Sequence, residues 1–172
     1  MSIWQRPCLK KPNIMGDEIQ IRQFRNEDAE AAAQIFYDAV HIGATEFYDE
    51  AQRSAWAVEV PNSDAWRDRL NAQITFVATS DKQLVGYMTL ADDGYIDLAF
   101  VRPDRIGTGV AKALYNAVET KAIEFGASRL YSEASFLAKR FFERQGWSVL
   151  KQQTIERHGI KLTNFVMEKQ LG

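Results

Sequence analysis

The sequence predicts an α/β fold in which antiparallel strands, one parallel crossover and flanking helices share a single sheet. Three observations carry that prediction. Residues 18–24 (EIQIRQF) alternate apolar and polar side chains, the period of a half-buried strand. Three strand-like runs between residues 74 and 101 follow one another with short turn signals, as in an antiparallel meander. The last of them leads through a glycine-containing turn into a long helical pattern and then a further strand, a crossover that should be right-handed.

Glu18 to Phe24 is the first strand. Asn26 then offers an N-cap, with Glu27 and Asp28 in the first turn of a helix whose apolar face holds Ile35, Phe36, Ala39 and Val40. A second helix is predicted over 49–57, and a short third over 64–71 after the break at Pro61-Asn62-Ser63. Strands over 74–79, 84–90 and 95–101 are joined by the turn signals Ser80-Asp81-Lys82 and Asp92-Asp93-Gly94. The next helix places Val110, Leu114, Val118, Ala122 and Phe125 on one side, and Gly126 fits its stop. Arg129 to Ala134 reads as a strand and Ala138 to Arg144 as a short helix. Trp147 to Arg157 and Ile160 to Glu168 then pair as a hairpin across His158-Gly159.

A chain of 172 residues is expected to form one domain, over 18–172, preceded by an irregular arm over 1–17. Its 46% hydrophobic and 26% charged residues fit a soluble globular protein. A net charge of −2 gives no electrostatic case for nucleic acid. No apolar run approaches the roughly 18 residues that span a bilayer, so no membrane partner is expected. The first 17 residues lack the apolar stretch of a secretory signal. One cysteine, Cys8, cannot form an internal disulfide, which suits a cytoplasmic protein. With two histidines and that one cysteine, no metal site is expected, and Cys8 has no nearby partner to make it a nucleophile.

The chemistry concentrates at 101–111 (VRPDRIGTGVA). Glycines at a strand-to-helix turn let a ligand approach the backbone closely, and the free amides at a helix N-terminus attract phosphate. A Walker loop fits badly, because Lys112 is followed by Ala113 and preceded by Ala111. A Rossmann fingerprint fits badly too, because Lys112 would occupy its third glycine position.

What the segment resembles is motif A of the GNAT superfamily of N-acetyltransferases, roughly V-x-P-x-x-Q/R-x-x-G-x-G/A. Val101, Pro103, Gly109 and Ala111 match, and Ile106 stands where the family usually has Gln or Arg. Motif B, roughly N-x-x-A-x-x-F/L-Y-x-x-x-G-F/W, is matched at Ala138, Phe141, Gly146 and Trp147, with Ser135 for the Asn and Phe142 for the Tyr. The predicted element order is also the GNAT order, so the resemblance covers about Glu18 to Lys169. It implies a GNAT-type mixed, mostly antiparallel twisted sheet with splayed central strands. It further implies acetyl-CoA as co-substrate, with the pyrophosphate held at Gly107, Thr108, Gly109, Val110 and Ala111, helped by Arg105. Ala99, Phe100 and Val101 would offer unpaired backbone groups to the pantetheine, and Ser135 and Phe142 would line its path. Homodimers are common among proteins of this kind.

Acetyl transfer to an amine needs the reactants positioned, a proton removed from the amine and a proton returned to the leaving thiolate. Asp97, in the middle of an apolar strand, and Glu133, on the following strand, are the candidate bases; each is equally readable as a structural ion-pair residue. His41 has a suitable intrinsic pKa but reads as a solvated residue at a helix end. Phenylalanine at 142 cannot supply the thiolate proton that a tyrosine gives in many relatives. Tyr131, Ser135 or water are the substitutes. The thiolate is also a tolerable leaving group unaided. The acceptor should enter over the early helices and the last hairpin, near His41, Phe47, Tyr48, Trp56, Glu46, Asp49 and Glu50, with Arg157 and His158 at the entrance. Aromatic and acidic side chains together suit a cationic amine; they equally describe a helix with a core face and a solvated face.

The sequence thus predicts an N-acetyltransferase acting by direct attack on acetyl-CoA within a ternary complex. The acceptor, a small-molecule or peptide amine, is left open. Two alternatives stand beside it, a non-catalytic acyl-CoA-binding or sensing module and a nucleotide-binding protein using the same loop.

Overall fold

The computed structural model describes residues 18–172. Cys8 and the arm predicted over 1–17 lie outside the described residues. Strand β1 (Gln20–Gln23) leads into a short turn of helix at Asn26–Asp28 and then α1 (Ala29–Asp38), which widens by one residue per turn over Ala39–Gly43. The Asp28 carboxylate fixes this entry, accepting from the Arg25 N–H at 2.8 Å and from the Arg22 guanidinium at 2.7 and 2.8 Å. Helix α2 (Glu50–Trp56) starts on a capping box, in which Asp49 accepts from the Gln52 N–H and Gln52 accepts from the Asp49 N–H. Helix α3 (Ser63–Asn71) is capped by Asn62.

Strands β2 (Ile74–Ser80), β3 (Gln83–Leu90) and β4 (Ala99–Val101) complete an antiparallel sheet ordered β1-β2-β3-β4. Helix α4 (Val110–Glu124) crosses to β5 (Arg129–Ala134), followed by α5 (Phe136–Arg144), β6 (Ser148–Arg157) and β7 (Ile160–Gln170). These last strands form a second antiparallel sheet, β5-β7-β6. Alternation along β2 and β3 sends Ala78 and Met88 toward α4, and Val77 and Tyr87 toward α1 and α3. On α4, Val110, Leu114, Val118 and Ala122 are fully buried, and each such Val or Leu contributes about 1.5–3 kcal/mol. Phe125, predicted on the same face, is instead 40% exposed. The helix ends one residue before it, where the Ala127 N–H reaches back to the Ala122 carbonyl and unwinds the face. No helix among the described residues is long and apolar enough to cross a membrane.

The strand predicted over 95–101 is regular only from Ala99. Thr89 pairs with Leu98 and Ala91 with Tyr95, so this side carries one residue more than β3 opposite. The bulge is stitched by Thr89, whose Oγ1 accepts from the Leu98 N–H at 3.0 Å. It also frees the Ile96 N–H to reach the Tyr131 carbonyl at 2.9 Å, while the Tyr131 N–H reaches Gly94. That parallel bridge, with Ser132 Oγ donating to the Ile96 carbonyl, is where the two sheets meet. Beyond it β4 and β5 diverge.

Candidate functional site

Two cavities open at this divergence. The larger, about 360 Å³, lies between β4, the start of α4 and α5; the smaller, about 240 Å³, lies between the bulge, β5 and β7. Trp56, Ala99, Phe100, Ser135, Ala138 and Phe142 line both, so the cavities adjoin at the gap.

The wall on β4 follows from strand alternation. Leu98 and Arg102 bond to β3, which places Phe100 in register with them and turns the N–H and C=O groups of Ala99 and Val101 toward the gap. Next come a single helical turn started by Pro103, an Arg102–Asp104 ion pair, and then Gly107 at φ +79° and Gly109 at φ +94°. The Arg102 hydrogen bond holds the Asp104 carboxyl below the usual range. The first α4 hydrogen bond runs from the Ala113 N–H to the Gly109 carbonyl at 3.0 Å, so the amides of Val110, Ala111 and Lys112 have no intrahelical acceptor. A methyl group built on Gly107 would meet no heavy atom within 4 Å, so this backbone faces open space.

Arg105, Gly107, Gly109 and Ala111 line this cavity as the sequence predicts, and so do Ala99, Phe100, Val101, Ser135 and Phe142. Thr108 and Val110 do not. The Thr108 hydroxyl turns back to the Arg105 carbonyl at 2.6 Å, and Val110 is fully buried, leaving only backbone groups to contribute. Lys112 and Arg144 also line the cavity, and Lys112 Nζ donates to Gln145 Oε1 at 2.6 Å. The sequence offers Lys112 only as a misfit to other phosphate loops. Its place one turn into α4 is the signal that would have found it. Left-handed glycines, free helix-start amides and three cationic side chains make a donor set suited to a pyrophosphate. Ser135 Oγ caps α5 by accepting from the Ala138 N–H at 3.2 Å. Phe142 is 1% exposed and stacks on Trp147 at 4.2 Å, an apolar wall with no proton to give.

The smaller cavity brings Asp97 and Glu133 together. Asp97, at the bulge, is gripped by Arg69 Nε and Nη2 and by Gln73 Nε2 at 3.2 Å. The Glu133 carboxylate has no hydrogen-bond or ion-pair partner among the described residues. Burial, then the charges of Glu133 and Asp97, push the neighbouring Tyr95 phenol up. Tyr131 turns away from this cavity. Its hydroxyl donates to the Asp93 carboxylate and its ring packs on Tyr95 at 5.0 Å, so it lines neither cavity. The bond to Asp93 also raises its phenol and lowers the Asp93 carboxyl.

Of the predicted acceptor residues, Tyr48, Trp56 and Arg157 line the smaller cavity. The others are occupied elsewhere. His41 Nε2 donates to the Ala57 carbonyl at 2.7 Å, Phe47 stacks on Phe136, Asp49 caps α2, and His158 forms the hairpin turn at φ +50°. Glu46 and Glu50 are exposed and line neither cavity. Tyr48, which burial pushes up, donates to the Thr163 carbonyl at 2.8 Å and accepts from the Phe136 N–H at 3.3 Å. Among the described residues no cluster of His, Cys, Asp and Glu could hold a metal ion.

Residues 30–169 match the acetyltransferase (GNAT) domain family. The chain is 37% identical over 151 residues to the uncharacterized N-acetyltransferase YafP of Escherichia coli, covering 88% of this chain and 95% of that protein. A crystal structure of a GCN5-related N-acetyltransferase from Rhodopseudomonas palustris superposes with a TM-score of 0.84 at 31% identity, covering 91% of this chain and 98% of that one. The PaiA N-acetyltransferase of Thermoplasma acidophilum, solved with coenzyme A, shares the fold with a TM-score of 0.71 at 18% identity, covering 89% and 99%.

Proposed function

This chain belongs to the GNAT acetyltransferase family, and from that premise we propose that it transfers the acetyl group of acetyl-CoA to a primary amine by direct attack. The observation that carries the reading is the pair of cavities adjoining at the divergence of β4 and β5, one lined by a phosphate cradle and the other by carboxylates. The relative solved with coenzyme A supports the choice of ligand.

In this reading the free amides of Val110, Ala111 and Lys112, with Arg105, Lys112 and Arg144, hold the pyrophosphate over Gly107 and Gly109. The outward groups of Ala99 and Val101 bind the amide-bearing arm. When bound, acetyl-CoA supplies an already activated thioester, so that a new amide N–C bond replaces the C–S bond and CoA leaves as the thiol. Glu133, with no partner to satisfy, takes the amine proton directly or through water. Asp97 is the second candidate, and its bonds to Arg69 and Gln73 make it first a positioning group. Ser135 lines the wall common to both cavities, which supports its hydroxyl as the group that returns a proton to the sulfur.

Thermal unfolding with acetyl-CoA, and with ATP and NAD as controls, tests the ligand. A ligand at about a hundred times its dissociation constant adds roughly 2.7 kcal/mol, about 5–10 °C for a chain of this size. A shift with acetyl-CoA alone is expected; no shift at saturating acetyl-CoA overturns the reading. Phe142 favours a second reading, an acyl-CoA-binding module without transfer. Slow thiol release that no amine accelerates would support it.

A further inference from the structure

One buried polar atom and two exposed, unpaired charges line the smaller cavity. Asn164 Oδ1 is buried with no hydrogen-bond partner among the described residues. Native structures rarely leave a buried carbonyl oxygen so, unless a ligand or water supplies the donor. The Glu133 carboxylate and the Arg157 guanidinium line the same cavity from its exposed side, without hydrogen-bond or ion-pair partners among the described residues. The remaining charges there, Arg69 and Asp97, neutralise each other.

These groups are ordered along β7. Glu133 stands opposite Val166 and Arg157 opposite Ile160, with Asn164 between those levels. At ~3.3 Å per residue, Asn164 lies about 13 Å along the strand from the Arg157 level. An extended arginine side chain bridges much of that distance. The cavity therefore has a donor-seeking, anionic end at Glu133 and Asn164 and a cationic end at Arg157. Its volume of about 240 Å³ lies below the roughly 300 Å³ at which pockets for drug-sized ligands begin, so it suits a smaller molecule.

We propose that the acceptor is a small amine that also carries a carboxylate, its amine donating to Asn164 Oδ1 beside Glu133 and its carboxylate paired with Arg157. This rests on the acetyl-transfer reading above and names its substrate class. The ammonium gives one proton to Glu133 as the N–C bond forms, and the CoA sulfur takes up one as the C–S bond breaks. Guanidinium is the natural partner for a carboxylate, since its paired N–H groups match both oxygens.

The test offers the full-length enzyme, saturated with acetyl-CoA, matched pairs of amines. Glycine, β-alanine, γ-aminobutyrate and the α-amino acids are each set against the counterpart whose carboxylate is amidated. Thiol release and acetylated product are both measured. The carboxylate member of the best pair should show a kcat/KM about tenfold higher or more. Arg157→Gln should collapse that preference to within about threefold, through a higher KM for the carboxylate member. Asn164→Leu should raise KM for both members without lowering the thermal midpoint, because it removes an oxygen that had no partner among the described residues. A preference for amidated amines, or an Arg157→Gln variant that weakens both members equally, overturns the proposal. If no pair is turned over, thermal shifts of the CoA-loaded protein decide: no selective protection by carboxylates also overturns it. The outcomes separate cleanly from the parent reading. Acetyl-CoA binding with transfer to amines regardless of carboxylate defeats this proposal alone, whereas failure to bind acetyl-CoA defeats both.

Discussion

Arg69 closes on Asp97 with its Nε and Nη2 nitrogens, 3.0 and 2.9 Å from Oδ2, so the carboxylate that the sequence marks first is already engaged. Glu133, a strand away, is not. Glu133→Gln should therefore lower kcat/KM by about 10²–10⁴, with the loss greatest at low pH where the amine is most protonated. Asp97→Asn should cost less and leave CoA affinity unchanged. The pH–rate profiles of both variants check the order, and a larger loss for Asp97→Asn would exchange the two roles.

Gly109 starts α4 in a left-handed conformation and faces the larger cavity. Gly109→Val strains that backbone and crowds the amides that would meet phosphate. Calorimetry should show CoA binding weakened by about tenfold or more. Undiminished affinity would place the cradle elsewhere.

These two sites mark how far the sequence alone could reach. The glycine turn into α4 was legible because its determinants are local: two glycines, a proline and a helix start within a few residues. Most strand ends were legible for the same reason, but the N-cap predicted at Asn26 was not, since Asp28 closes that entry on the Arg25 N–H, and α5 begins at Phe136 rather than Ala138 because Ser135 caps it. The bulge was not, since Tyr95 to Phe100 alternates like any strand and only the count of residues opposite, set by Thr89 and Ala91, reveals the extra one. The direction of the Tyr131 side chain was equally illegible. Its strand was right, but which way its hydroxyl points depends on Asp93, in a turn that pattern places without orienting. Asn164 carried no signal at all, because an unmet hydrogen bond exists only in three dimensions.

Phe142 lines both cavities at the position where many relatives have tyrosine. Phe142→Tyr adds a proton donor at that wall. A several-fold rise in kcat with unchanged CoA affinity is expected from steady-state kinetics. A lower thermal midpoint without any gain in rate would mean that the hydroxyl is buried against Trp147 instead.

Asp28 is the stability prediction. Burial works against its charge, but the Arg22 guanidinium and the Arg25 N–H outweigh burial and hold the carboxyl below its usual range. Its folded pKa is thus lower than its unfolded one. The stabilisation is complete above the unfolded value, about 3.9, and is lost as pH falls through the folded value. Asp28→Asn should cost about 1.5–3 kcal/mol at neutral pH and flatten this part of the acid limb in chemical denaturation. An unchanged acid limb would assign it to other carboxylates.

The divergence of β4 and β5 leaves exposed backbone of the kind that, on the perimeter of a sheet, invites another chain to add a strand and aggregate. Here it lies in the interior, where Trp56 of α2 and Leu137, Ala138 and Phe141 of α5 close over the cavity. That cover leaves a second polypeptide strand no open edge to pair with. The fold thus keeps an unzipped seam without the hazard that usually comes with one.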